Sequence, residues 1–148
     1  MTANELWKKY ASLEGVEAVW EAWSFGNDPD AVAALVRDGI KTATSSAYDL
    51  YALEEEPLPK VGDYSVILDS AGNAVCIIRD TNVYVVPFDQ VSERHAFLEG
   101  EGDRSLACWR QVHEAFFRDE LAAAGLQFHL QIPVLCEEFE VVHLPKIP

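Results

Sequence analysis

The chain is poor in positive charge: 11 lysines and arginines stand against 25 aspartates and glutamates, a net of −14 with histidine neutral. So acidic a protein repels a phosphate backbone at long range, which argues against a duplex-DNA binder and leaves room only for a local basic groove. Cysteine is scarce as well. Cys76, Cys108 and Cys136 are odd in number, far apart and free of any CxxC pairing, so they read as buried thiols in a reducing compartment. No apolar run approaches the roughly 18–20 residues that span a bilayer. The first residues lack the charged start, apolar stretch and small-residue cleavage site of a signal peptide. The expectation is a cytoplasmic protein with no membrane partner. GxSxG, GxGxxG, phosphate-loop and HExxH signatures are missing too, and we find no internal repeat, low-complexity segment or interdomain linker.

What is present suits one domain spanning 1–148. At 148 residues and 49% apolar content, the chain can bury a sizeable core without a disulfide or metal. Thr2 and Glu5 have capping-box spacing ahead of Leu6, Tyr10 and Leu13, which predicts a first helix. The aromatic stretch Glu17 to Phe25 reads as a strand. A helix then runs from cap Asp28 and Pro29 through Val32, Leu35 and Val36 to Gly39. Residues 40–44 read as extended, with Ser45 or Ser46 capping a short helix that bears Tyr48, Leu50 and Tyr51. Strands at 64–69 and 74–79 form a hairpin through residues 70–73, and a separate apolar run covers Val83 to Val86. Asp103 or Ser105 opens the longest helix, with Leu106, Trp109, Val112, Phe116 and Leu121 on its buried side and Gly125 at its end. An alternating strand around Phe139 to Val142 closes the chain. This order predicts an α+β domain whose curved sheet closes into a small barrel.

Three stretches carry candidate chemistry. His95 and Glu99, four apart, share a helical face and would suit two metal ligands. In Glu99-Gly100-Glu101-Gly102-Asp103, carboxylates alternate with glycines. An EF-hand is excluded because its twelfth position would be Arg110. Asp103 then caps the following helix, or a glutamate faces a cleft as general acid or base. Gly39-Ile40-Lys41-Thr42-Ala43-Thr44 joins an ammonium to two hydroxyls. A threonine becomes a nucleophile when a neighbouring base takes its proton. Lys41 and Thr44 would point to opposite faces of a regular strand, so their meeting requires a bend. Trp20, Trp23 and Phe25 would serve as core or as a stacking platform for a base.

These stretches occur together and in order: Trp23-Ser24-Phe25-Gly26, the Gly39–Thr44 segment, Val61-Gly62-Asp63, and Glu99–Asp103 followed by Ser105-Leu106, Trp109-Arg110 and His113. From about Trp20 to Val142 the chain resembles the ASCH domain family, in its longer bacterial branch. The resemblance implies a PUA-like fold, a small β-barrel flanked by helices, with a cleft beside the lysine-threonine segment and an association with RNA or modified nucleosides. A small bacterial member hydrolyses the acetyl amide of N4-acetylcytidine, and its catalytic lysine, threonine and glutamate fall here on Lys41, Thr44 and Glu99. Glu101 stands two residues from that glutamate. An arginine of that enzyme, two residues after the second threonine, is Ser46 here.

The leading expectation is therefore hydrolysis of an acyl amide on a pyrimidine nucleoside without a cofactor. Lys41, Thr44 and Glu99 would be catalytic, and Trp23, Thr42, Ser45, Ser46, Tyr48 and Glu101 would line the substrate. Backbone N–H groups near 44–46 would stabilise the oxyanion if a helix begins there. One alternative is a metal-dependent ribonuclease on single-stranded RNA, its divalent ion held by Glu99, Glu101 and Asp103. The other is a non-catalytic regulator that binds RNA or a nucleobase. The apolar helix carrying Trp109, Phe116 and Phe117 fits a monomer that buries it or a homodimer that shares it.

Overall fold

The computed structural model describes residues 1–145. Its order is α1 (Ala3–Glu14), β1 (Trp20–Trp23), α2 (Pro29–Arg37), β2 (Ala43–Ala47), α3 (Tyr48–Leu53), β3 (Tyr64–Leu68), β4 (Ala74–Pro87), a 3-10 turn (Phe88–Gln90), α4 (Glu93–Glu99), α5 (Leu106–Ala123) and β5 (Pro133–His143). Helix starts follow local chemistry. Thr2, Asp28, Ser92 and Ser105 each accept a backbone N–H from three residues ahead, satisfying donors that a helix leaves open at its start. Of the two candidates for the longest helix, Ser105 is the cap.

The strands form one sheet in the order β1-β3-β4-β5-β2. The expected α+β class holds, but β1 and β2 end the sheet without pairing with each other, so it is not a closed barrel. β3 and β4 form the hairpin, its turn held by Asp69 Oδ1 accepting from the Ala71 and Asn73 N–H groups. The apolar runs at 74–79 and 83–86 are one 14-residue strand, interrupted in its pairing with β5 by an irregularity between Asp80 and Asn82. The expected strand Glu17 to Phe25 shortens to four residues.

Strand alternation sorts the core onto two faces. Val66 and Ile77 pack with Leu6, Trp7 and Tyr10 of α1. Ile67, Cys76 and Ile78 face the other way, against Ala33 and Val36 of α2. A third cluster joins Trp109, Phe117 and Leu121 of α5 to Phe88, Val134 and Cys136. Four positions differ from the periodic pattern: Leu13 is 73% exposed and Val112 48% exposed, while Trp7 and Ala33 take the buried places. Cys76 and Cys136 are buried as expected, whereas Cys108 is only partly so. Among the described residues, no helix is long and apolar enough to cross a membrane.

Candidate functional site

The bend expected after residue 40 is present. Gly39 takes φ 76°, the Lys41 N–H returns to the Leu35 carbonyl, and the Thr42 N–H donates to Leu98 O at 2.8 Å. Regular strand begins only at Ala43, so Lys41 and Thr44 are free of strict alternation and line one cleft. Gly100 makes the opposing turn. At φ 72°, a Cβ on it would lie 2.6 Å from the Ile40 carbonyl oxygen, so the backbone passes this close only without a side chain. This contact sets Glu99 and Glu101 around the lysine.

Lys41 is 1% exposed. Its Nζ donates to Glu101 Oε2 at 2.8 Å, to Glu99 Oε1 at 3.1 Å and to the Glu99 carbonyl at 3.3 Å, using all three ammonium hydrogens. Glu99 is equally enclosed. Its Oε2 accepts from Ser45 Oγ at 2.6 Å and from Trp109 Nε1, with His95 Nε2 at 3.2 Å, while His113 Nε2 lies 3.4 Å from Oε1. The Ser45 hydrogen goes to Glu99, so His95 Nε2–H donates to Ser45 Oγ at 2.7 Å. His95 Nδ1 is then left to accept from the Tyr84 hydroxyl at 3.4 Å. His113 Nδ1 donates to the Trp109 carbonyl, and its ring stacks on Trp109 with centroids 4.2 Å apart. Burial opposes charge on Glu99, but the Lys41 ammonium and the polar contacts of His113 and His95 hold its carboxyl well below the usual range. It is a fixed carboxylate.

The cleft, about 1160 Å³, is walled by Trp23, Phe25 and Phe116 on its apolar side. Trp23 and Phe25 meet edge to face at 4.8 Å, and Lys41 Nζ sits 5.5 Å from the Phe25 ring. Trp20, half-buried, stacks on Trp7 and also lines the cleft. Ser45, Ser46 and Glu101 also line the cleft, whereas three expected residues do not. Thr42 Oγ1 reaches only the Leu98 carbonyl, at 3.5 Å. Tyr48 gives way to Tyr51, whose hydroxyl is 2.7 Å from Ser46 Oγ. Asp103 accepts from the Ser105 N–H at the start of α5.

Two further expectations change. Ser45 and Ser46 lie in β2, paired with Cys136 and Leu135, and α3 starts at Tyr48 without a side-chain cap. No helix N-terminus therefore faces the cleft at 44–46. For a divalent ion, Glu99, Glu101 and Asp103 do not converge: Glu99 is surrounded by protein donors and Asp103 is turned to its own helix. His95 is likewise occupied within the hydrogen-bond network around Glu99, and no group of three or more metal-ligating side chains gathers among the described residues.

The far wall holds groups that the motif reading missed. Asp80, 6% exposed, lies within reach of Glu137, and Glu137 stands opposite Thr44 in the β2–β5 ladder. Burial, the contact with Asp80 and the charges of Asp80, Asp63 and Glu21 push Glu137 up to about 9. Burial raises Asp80 to about 6. Little in the sequence singled them out: Asp80 sits in β4 beside Arg79, Thr81 and Asn82, and Glu137 is one of three glutamates in β5.

The ASCH domain model matches residues 21–143. The ASCH domain from Lactobacillus crispatus JV V101 is similar at 32% identity, with 95% of this chain and 93% of that one covered and a TM-score of 0.87. Protein EF3133 from Enterococcus faecalis V583 is similar at 37% identity over 95% and 88% of the two chains, with a TM-score of 0.88. No curated protein matches the chain. With the family model covering most of its length and two solved relatives sharing its fold, the chain belongs to the ASCH domain family, whose PUA-like fold is an RNA-binding one.

Proposed function

We propose that the cleft accepts an uncharged modified pyrimidine nucleoside and hydrolyses an acyl amide on its base. The observation that carries this reading is the buried Lys41, tied to Glu99 and Glu101 in the wall of a cleft that also contains Thr44. The lining favours a neutral ligand. Its carboxylates far outnumber its two lysines, Lys41 and Lys60, so a polyanionic strand is repelled where a nucleoside is not. Trp23, Phe25 and Phe116 supply an apolar wall for a base.

In this mechanism Thr44 Oγ1 attacks the amide carbonyl. Lys41 passes one of its protons to Glu101, 2.8 Å away, and takes the threonine proton in its place. The proton on Glu101 returns through Lys41 to the departing amine as the C–N bond breaks, leaving an acyl ester on Thr44. Water then cleaves the ester through the same relay, releasing the carboxylic acid and restoring the hydroxyl. Glu99 stays ionised and anchors Lys41, so Glu101, its side chain 37% exposed, is the working acid. Lys41 and Thr44 share no hydrogen bond in the ligand-free protein; such contacts commonly tighten in the substrate complex.

Acetate release from N4-acetylcytidine tests the proposal. Thr44→Ala should lower turnover by at least about 100-fold, while Thr44→Ser retains a measurable fraction. A wild-type protein that releases no acetate, or a Thr44→Ala variant at full rate, overturns it. Metal-dependent cleavage of single-stranded RNA would favour the nuclease instead.

A further inference from the structure

We propose that the Asp80–Glu137 pair reads the donor–acceptor edge of a neutral pyrimidine base in the cleft. This rests on the nucleoside reading above and names the groups that would give it specificity. Both residues line the cleft. Thr44 and Glu137 are direct cross-strand partners, which sets their Cβ atoms about 5 Å apart on one face. A base bound against this wall therefore lies beside the hydroxyl assigned to attack its acyl group.

The chemistry of the pair points outward. Asp80 is more than nine-tenths buried, yet among the described residues no N–H or hydroxyl donates to either carboxyl group, and each has only the other. Two carboxyl groups this close retain a proton between them because the doubly charged state is repulsive. What remains is one O–H donor and several unused acceptor lone pairs in a partly water-excluded wall. Both residues line the cleft, and Glu137 is only half-buried, so a ligand there can complete the pair. A cytosine edge does so: its exocyclic N–H meets an acceptor, and its ring nitrogen or O2 takes the shared proton.

The surroundings keep the proton in place. Asp63 before β3 and Glu21 on β1 both add negative charge beside the pair. The Tyr51 phenol of α3, raised to about 12 by burial, faces it together with Glu120 of α5. All of these oppose a second ionisation. The pair's upper titration falls at about 9, the value of Glu137, so the singly protonated form prevails at neutral pH and is lost above it.

Calorimetry of the full chain with cytidine tests this. Affinity should be at least about tenfold weaker at about pH 10 than at about pH 7, since ionisation replaces an O–H donor by a repelling lone pair. Glu137→Gln keeps a donor and an acceptor without titrating. Its own affinity should change by less than about threefold between about pH 7 and about pH 10. Three results overturn the inference: no cytidine binding at pH 7, a wild-type affinity that is flat or rises with pH, or a variant that loses affinity at pH 10 as the wild type does. Acetate release combined with pH-independent cytidine binding would remove the assigned role of the pair while leaving the hydrolase reading intact. The expected pH profile without acetate release would do the reverse.

Discussion

The two ends of the cleft place the same functional group in opposite settings. At one end Glu99 is wrapped by Lys41, Ser45, Trp109, His95 and His113 and stays charged despite complete burial. At the other, Asp80 and Glu137 have no protein donor among the described residues, and burial raises both. The comparison teaches that burial alone does not decide ionisation. Donor count does, because a buried carboxylate is stable only when positive charge and N–H or O–H groups replace the water it has lost. A satisfied carboxylate can hold another residue in place, and an unsatisfied pair remains available to something that enters.

The largest effect that would break this contrast is expected at Glu99. Glu99→Ala removes the buried one of the two carboxylates on Lys41, strips the Ser45 and Trp109 donors of their acceptor, and should cost about 3–5 kcal/mol, read from the midpoint of urea unfolding. A loss below about 1 kcal/mol would mean the enclosing shell contributes little. Because the folded Glu99 titrates well below its ordinary 4.5, its contribution is present above that value and declines as pH falls through the folded titration.

The opposite sign is expected at the other end, with a smaller effect. Glu137 is raised in the folded state, so the native protein binds more protons than the unfolded chain between about 4.5 and about 9. Stability contributed by this group therefore falls as pH rises through that window. Glu137→Gln should melt no lower than wild type at about pH 8, and its advantage should shrink as the pH is brought toward about 4. A variant whose disadvantage grows with pH would show that the pair is stabilised as an ion. The smallest effect is expected from Tyr51→Phe, which removes the 2.7 Å hydrogen bond to Ser46. It should cost about 1 kcal/mol at most and sharpen the view that this wall is held weakly.

How much of this was legible in the sequence depended on range. Caps at Thr2, Asp28 and Ser105 depend on residues three apart and were readable. Ser92 has the same chemistry, but the seven-residue helix it starts is too short to show a period. Periodicity also misplaced Leu13 and Val112, because it reports which residues share a face and not how far the neighbouring element extends. Lys41 and the Glu99–Asp103 stretch were picked out as chemistry-bearing, yet Asp103 and Thr42 were grouped with them only by proximity in the chain. Asp80 and Glu137 carried no motif at all. Their pairing follows from the β4–β5 register and the irregularity between Asp80 and Asn82.

By itself the sequence determined the α+β class, most helix starts, the β3–β4 hairpin and the need for a bend between Gly39 and Thr44, since each is a local property of backbone and spacing. Only the tertiary structure decided that the sheet stays open, that Glu99 is a saturated carboxylate and Glu101 the freer one, and that Asp80 and Glu137 line the cleft beside Thr44. The reason is physical: ionisation and reach depend on which donors and charges other elements bring within a few ångströms, and residues 58 positions apart, as Lys41 and Glu99 are, meet only when the chain has folded.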